Sequence, residues 1–373
     1  MGHEDRVTTV FRLALCLVAA LLLAACSSAG PLGDAPVMAD QSLVLPDQYG
    51  SGPRAVGIIA FEEPGNLSDG APDSIHRAAR LAATTLKGNP VTVVVRTLAV
   101  DGGNAGGIVN ELDAASAGIV VGAGDEAVAA AAANVLGRRA VPTLSLTSFS
   151  DIAIHLYGAG YVPNEEAVTL VNEAAKRGIT SLAVVSAAGR ASESFTRAVL
   201  SLAGAAGISA RPVDGSTDSQ FVAGLGAMVS AGVDVGAVVF ATGPERAGAM
   251  LSLLRQDARF ATLQAIGNSG WSLGSRPPSL KGAWYTALDS NGLAEFAAKF
   301  RAANGGSSPT LNAAMVYDLI ILAAALPQAA GEMEPYHPEV LTGPQGFHGF
   351  TGHFRFGPTG MLGARAYVIR TVD

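Results

Sequence analysis

The chain has 373 residues, of which 49% are apolar and 15% charged, with a net charge of -7 and two cysteines. That length allows two domains with large cores, and the lack of any basic block beyond Arg138-Arg139 argues against a nucleic-acid partner. Both cysteines, Cys16 and Cys26, lie near the N-terminus, so the remainder has no disulfide and no cysteine metal site.

The first residues carry Arg6 and Arg12 but also Glu4 and Asp5, a mixture that points to a true start a little downstream. An apolar run follows over 13–25. At about 13 residues it is shorter than the ~20 needed to span a bilayer and fits the apolar region of a signal peptide. It ends Leu23-Ala24-Ala25-Cys26: small residues that let a peptidase accept the extended chain, then a thiol that can take a diacylglycerol. This is similar to the lipobox of bacterial lipoproteins. It implies a signal peptide over 1–25, cleavage after Ala25 and lipidation of Cys26. Ser27, rather than Asp, follows the lipid site, which resembles outer-membrane sorting in a host with two membranes. Residues 26–54 are rich in Gly, Pro, Ser and Asp without an apolar period, and read as a lipidated flexible tether. The membrane is therefore reached through the lipid anchor only. The expected location is the periplasmic face of a bacterial membrane, the outer one where the host has one.

From residue 55 a short β-branched run, a loop, an alanine-rich helical segment and a glycine recur. Strands are predicted over 56–61, 91–95, 118–121 and 141–146, with helices over 74–86 and 125–136. Continuous apolar strands alternating with helices argue for a parallel sheet covered on both faces. The second half repeats the scheme. Asn164 can cap a helix with Val168, Val171 and Ala175 inward, and Ser192 can cap one with Phe195, Val199 and Leu202 aligned. Phe221, Leu225, Met228 and Val229 line a third, and Pro244 opens a fourth. Strands are predicted over 182–185, 237–240, 263–266 and 283–286, and two late helices over 291–303 and 311–326, the second stopped by Pro327. The period breaks over 148–163 and 287–291, which predicts crossings between two α/β lobes. Lobe 1 is read as 55–148 plus 288–345, and lobe 2 as 149–287 plus 346–373.

The C-terminal stretch Gly346-Phe347-His348-Gly349-Phe350-Thr351-Gly352-His353-Phe354-Arg355-Phe356 and the last strand Ala366-Tyr367-Val368-Ile369 resemble the closing segment of the type I periplasmic-binding-protein family, the leucine/isoleucine/valine-binding group. Tyr317-Asp318 within the 311–318 segment looks like that family's late helix. Gly118-Ile119-Val120-Val121-Gly122 and Val141-Pro142-Thr143-Leu144-Ser145 look like its third and fourth strands. The resemblance covers nearly everything from Val56 onward. It implies an α/β fold of two lobes, each a parallel sheet flanked by helices, with a ligand cleft between them.

It also implies where first-lobe ligand groups sit, at the carboxyl ends of the third and fourth strands. Those positions hold Gly124 and Asp125, and Ser145, Thr147 and Ser148. Free N–H groups and small hydroxyls there are apt donors to a carboxylate. Amino-acid binders of the family usually have a serine where this chain has Asp125 and Glu126. Those residues are either a plain helix cap or groups that repel an amino acid's carboxylate. The loop Glu62-Glu63-Pro64-Gly65-Asn66 is acidic as well. In the second lobe Arg190 can hold an anion, Glu245 an amine, and Trp271 can stack on a ligand. The alternative for each is a solvated loop residue or a packing aromatic.

Gly122-Ala123-Gly124-Asp125-Glu126-Ala127 fits a dinucleotide fingerprint, but it follows the third strand and the next strand lacks a ribose-binding acid. No cofactor is expected. The paired acids Glu62-Glu63 and Glu165-Glu166 read as solvated faces, His348 and His353 fall in a predicted turn or strand with the other histidines scattered, and no catalytic constellation or metal site is found. The expectation is a non-enzymatic lipoprotein that takes a small polar ligand, amino-acid-like or related, for a transporter permease or as a sensor. The alternative is an outer-membrane lipoprotein whose partner is a cell-wall synthase, a penicillin-binding protein that it activates by contact.

Overall fold

The computed structural model describes residues 48–61, 71–88, 90–99, 102–122, 124, 126–146, 153–187, 189–331, 333–363 and 365–373. The expected signal peptide, Cys26 and most of the expected tether lie outside the described residues.

Two six-stranded sheets organise the body. In the first, β2 (Arg54–Ala60), β3 (Val91–Thr97), β4 (Ala117–Gly122), β5 (Thr143–Ser145) and β6 (Leu156–Gly158) are parallel, in the order β3-β2-β4-β5-β6. A short strand β1 (Gln48–Tyr49) pairs antiparallel with β3 at one edge. Tyr49 is buried there, so the folded body begins inside the stretch expected to be tether. Helices α1 (Ala71–Thr85), α2 (Ala105–Ala114) and α3 (Glu126–Leu136) connect these strands. Val56, Ile58, Val93, Val95, Val120 and Val121 are all nearly or fully buried, as expected for β-branched runs covered on both faces.

The second sheet has the order β14-β11-β10-β9-β7-β8, built from β7 (Ser181–Ser186), β8 (Ser209–Asp214), β9 (Ala237–Ala241), β10 (Gln264–Gly267), β11 (Trp284–Leu288) and β14 (Tyr367–Thr371). Only β14 runs antiparallel. Along β7, Ala183 and Val185 enter one apolar cluster while Leu182 and Val184 enter another. This alternation is the pleat feeding two helical layers. Helices α4 (Pro163–Lys176) and α5 (Arg190–Ala205) cover one face, and α6 (Asp218–Ser230) and α7 (Pro244–Leu254) the other.

The helical phase of α4 differs from the expected one. Glu166, Ala167, Leu170, Val171 and Ala174 are buried, and Val168 is exposed. The helix begins at Pro163, with no side-chain cap from Asn164. Likewise α5 begins at Arg190, and Ser192 Oγ instead accepts the Ala187 N–H.

After β11 the chain returns to the first lobe as α8 (Leu293–Ala303) and α9 (Leu311–Ala329). Helix α9 packs against α1 and β4 and continues past Pro327, whose missing N–H leaves the Ala323 carbonyl to accept from the Tyr336 hydroxyl at 3.1 Å instead. A short helix α10 (Pro338–Leu341) and the hairpin β12 (Phe347–Gly349) and β13 (Gly352–Phe354) follow. Phe350 packs on Phe296 and Tyr317, and Phe354 and Phe356 belong to the first lobe's cluster. Of the stretch 346–373, therefore, only β14 joins the second sheet. The first sheet also runs on through β6, past the boundary expected at 148.

Three chain passages link the lobes, near 159–162, 289–292 and 357–366, and they bond to one another. Gly158 N–H donates to Gly360 O and Asp289 N–H to Ala366 O, while Ala159 N–H ties the first passage to Ser145 O at the end of β5. At the first passage a Cβ on Gly160 would overlap the Leu146 backbone. Gly160→Ala is expected to destabilise the protein by about 1–3 kcal/mol in urea unfolding. Gly106→Ala, exposed in the first turn of α2 with nothing within 4 Å of the new methyl, is expected to stabilise by about 0.5 kcal/mol.

Candidate ligand-binding site

Each sheet has one topological switch point, where consecutive strands leave in opposite directions: between β2 and β4 in the first, and between β7 and β9 in the second. Ligands of open α/β sheets bind in the crevice outside the carboxyl ends at such points. The passage 159–162 joins the carboxyl end of β6 to the N-terminus of α4. That N-terminus in turn lies against the carboxyl end of β10, through Glu166 and Ser269. The carboxyl edges of both sheets are thereby drawn to the same hinge.

On the first-lobe rim, Gly122 stands beside Ile59 and Ser145 in the sheet register and has φ 121°. A side chain there would strike the Ile59 carbonyl. Two residues on, the Phe61 ring lies where a Cβ of Gly124 would be, so an aromatic face covers the start of α3. Ser145 ends β5, fully buried, and Leu146 follows it. Asp125, Thr147, Ser148 and the loop 62–66 lie outside the described residues.

On the second-lobe rim, Ser186 and Ala187 lead to Gly189 and α5, whose first residue is Arg190. Thr242 and Gly243 lead into α7, opened by Pro244. Glu245 in its first turn accepts the Ser275 N–H at 2.9 Å, and Gly274 sits against Pro244, so the loop 272–277 folds over the start of the helix. Glu245 is therefore held in place by a backbone donor.

Trp271 does not face the cleft. It is fully buried, its indole N–H donates to Thr242 O at 2.9 Å, and its ring packs beside Phe240 and Tyr285 and over Gly267. It is a packing aromatic, and the absence of a Cβ at 267 is what admits it. The 3-10 turn Ser269–Ser272 that carries it touches α9, and Leu273 just beyond is buried in the first lobe's cluster. An apolar contact thus joins the lobes beside the polar hinge. Of the residues singled out in the sequence, Gly124 and Ser145 stand on one rim and Glu245 on the other; Trp271 is withdrawn from it.

The hinge holds groups that the sequence reading left on the surface. Glu166 is fully buried. Its Oε1 accepts the Ser269 N–H at 2.5 Å and the Thr286 hydroxyl, and its Oε2 accepts the Ser269 hydroxyl at 3.1 Å. Burial pushes its pKa up, against the opposing pull of the bonds from Thr286, Tyr161 and Ser269. Burial, with the neighbouring Glu166, also raises Tyr161 well above the usual phenol range. The helical spacing of Glu166 with Leu170 and Ala174 was the signal that it points inward.

Beside the preceding residue, Glu165, Arg365 is 4% exposed. Its Nη2 donates to Ala159 O at 2.9 Å, its N–H to Glu165 Oε2 at 2.8 Å, and its guanidinium lies 5.2 Å over the Phe354 ring. Burial pulls its pKa down, while Tyr367, Asp318 and Glu165 oppose that. Asp318 in turn accepts the N–H groups of Phe350 and Thr351 and the Thr351 hydroxyl, with burial raising its pKa.

A carboxylate with a raised folded pKa keeps its proton where the unfolded chain has lost it. Its contribution to stability falls as pH rises from the ordinary glutamate range through the raised value. Glu166→Gln keeps an acceptor for Ser269 N–H and Thr286 and cannot ionise. It is expected to remain within about 1 kcal/mol of the parent and to gain on it as pH rises from 4 to 8 in urea titrations. Glu166→Ala strands those donors and is expected to lose about 3 kcal/mol or more at every pH.

Comparison with known proteins agrees with this geometry. A family model described as periplasmic binding protein matches residues 69–372. A search of curated proteins finds no match. Among solved structures, the chain resembles the solute binding protein of an ABC transporter from Rhodopseudomonas palustris BisB5 in complex with 3,4-dihydroxy benzoic acid, at 18% identity and a TM-score of 0.66, covering 86% of this chain and 93% of that one. The leucine binding protein LivK from Thermotoga maritima is similar at 15% identity and a TM-score of 0.64, covering 86% and 95%. A solute binding protein from R. palustris in complex with benzoate is similar at 15% identity and a TM-score of 0.64, covering 86% and 93%. With its two sheets, three passages and match over most of its length, the chain belongs to the type I periplasmic-binding-protein family.

Proposed function

We propose that this protein is an extracytoplasmic solute-binding lipoprotein, tethered through Cys26, that closes its two lobes on a small polar ligand. The ligand is amino-acid-like or related and is delivered to an ABC transporter or reported by the protein as a sensor. The observation that carries this reading is the pairing of two switch points across one hinge, with rims built from Gly122, Gly124, Ser145, Ser186, Thr242 and Gly243. Small residues at the carboxyl ends of parallel strands leave backbone N–H groups accessible, and the starts of α3, α5 and α7 orient their positive ends toward the same crevice.

The ligands of the structural relatives, dihydroxybenzoic acid, leucine and benzoate, each carry a carboxylate. A carboxylate is the group that helix N-termini and hydroxyls receive best. Glu245 adds a fixed negative charge on the opposite rim, suited to an amine or hydroxyl on the same ligand. Gly124 and Ser145 stand for the first-lobe contacts, with Asp125 next to the first and Thr147 and Ser148 just after the second in sequence, and Arg190, which opens α5, is the cation proposed for the opposite rim.

The test is a thermal-shift screen of the purified full-length protein against amino acids, aromatic acids, short peptides, polyamines, sugars and muropeptides. A ligand present at a hundredfold its Kd is expected to stabilise the protein by about 2.7 kcal/mol. Gly124→Ala, which forces the Phe61 ring to move, is then expected to weaken binding about tenfold, or about 1.4 kcal/mol. Silence across every class would overturn the solute-binding reading and favour a protein partner such as a cell-wall synthase, to be sought by co-purification.

A further inference from the structure

The hairpin β12–β13 carries an arrangement that solute binding does not use. Its closing pair is Gly349 and Gly352, joined by the two-residue turn Phe350-Thr351. In an antiparallel ladder, bonded and non-bonded pairs alternate, so the next pair outward, His348 and His353, is a non-hydrogen-bonded one, whose side chains approach most closely. Their ring centroids are 4.5 Å apart, and both residues are exposed.

The two imidazoles are held rather than loosely displayed. Asp318 accepts the N–H groups of both turn residues, at 2.9 Å from Phe350 and 2.7 Å from Thr351, and also takes the Thr351 hydroxyl. The turn is thus pinned to α9. On its other face the hairpin buries Phe350 against Phe296 and Tyr317, and Phe347 against Phe354 and Phe356. Both strand backbones are thereby fixed, and little ordering is left for a ligand to impose.

The tautomer of one ring is set as well. His353 Nε2 lies 2.9 Å from the Gln345 carbonyl oxygen, which can only accept, so Nε2 carries the proton and Nδ1 keeps its lone pair. A ring N–H given to a backbone carbonyl is the usual support for a metal-ligating histidine. Gly346 makes that bond possible. It has φ 61°, and a Cβ there would come within 2.7 Å of His353 Nε2. A residue with a side chain at 346 would push the ring off its carbonyl.

We propose that His348 and His353 form a cross-strand chelate for a late first-row divalent metal such as Zn2+, Ni2+ or Cu2+. Imidazole nitrogen favours those ions over Mg2+ and Ca2+. Among the described residues no group of three or more His, Cys, Asp or Glu is available to hold a metal, so the pair supplies two ligands and water or a solute donor fills the rest. The site is independent of the interlobe cleft, because both ligands belong to a hairpin packed on the first lobe.

The experiment is equilibrium dialysis of the purified full-length protein against Zn2+ and Ni2+, beside His348→Ala, His353→Ala and the double variant. Circular-dichroism melts check that each still folds. Because Cys16, Cys26 and the other histidines are present in all four proteins, the readout is the difference between them. The parent is expected to bind one equivalent more than the double variant, and each single change to weaken that equivalent about tenfold or more. Gly346→Ala, whose methyl would crowd both His353 Nε2 and the Phe354 carbonyl, is expected to weaken it too without removing either ligand. Equal stoichiometry and affinity in the parent and the double variant would overturn the proposal. So would full binding in either single variant.

Discussion

Parallel strands all end at the same edge of their sheet, and everything functional here follows from that constraint. A chain building parallel sheets must return through helices, so its loops divide into two sets, and only the set after the carboxyl ends meets the switch point. Joining two such sheets by short passages at those ends makes the two edges face. The passages at 159–162 and 289–292 are short enough to do this, and the bond from Asp289 N–H to Ala366 O aligns the second with the third. The cleft is thus a consequence of connectivity before any ligand-specific side chain is considered.

The hinge shows what that connectivity requires. Three passages bring many polar groups into a region closed by both lobes, and each must find a partner. Glu166 gathers the donors of Ser269 and Thr286, Asp318 gathers those of the 350–351 turn, and Arg365 satisfies the Ala159 carbonyl. Among the described residues Arg365 remains incompletely paired: its buried Nε and Nη1 find no hydrogen-bond partner there. Its charge is offset at a distance by Asp318 and Glu165, and its face by the Phe354 ring. A buried cation held this way fixes geometry more than it adds stability.

Most of the scaffold was legible in the sequence because burial on both faces leaves an unbroken β-branched signature, as in 91–97 and 237–241. What escaped has a physical reason in each case. Strand β8 reads Ser-Ala-Arg-Pro-Val-Asp because it is an edge strand, with much of it exposed and only Val213 truly buried. Strand β1 is two residues long and sits in a stretch rich in proline and glycine. Helix α2 carries two glycines that hide its Ile108, Val109 and Leu112 face. The candidate site was less legible than the fold. Trp271 follows a strand at a loop position that suits a ligand contact, and only the missing Cβ at Gly267 reveals that the ring turns inward. Glu166 looked solvated because acids usually are, although its helical phase with Leu170 and Ala174 pointed to the core.

The two kinds of contact at the hinge bear differently on motion. Passages bonded to one another through backbone groups can rotate together while keeping those bonds, since the bonds lie within the bundle of passages and not across the opening cleft. The insertion of Leu273 into the first lobe's cluster is of the other kind. It crosses from one lobe to the other, it is apolar, and separating the lobes at that point exposes it to water. Burying a leucine fully is worth roughly 1.5–3 kcal/mol. A contact of that size favours the arrangement in which the two lobes meet at Leu273. The polar passages therefore keep the lobes joined at the hinge, and Leu273 adds an apolar contact between them beside it.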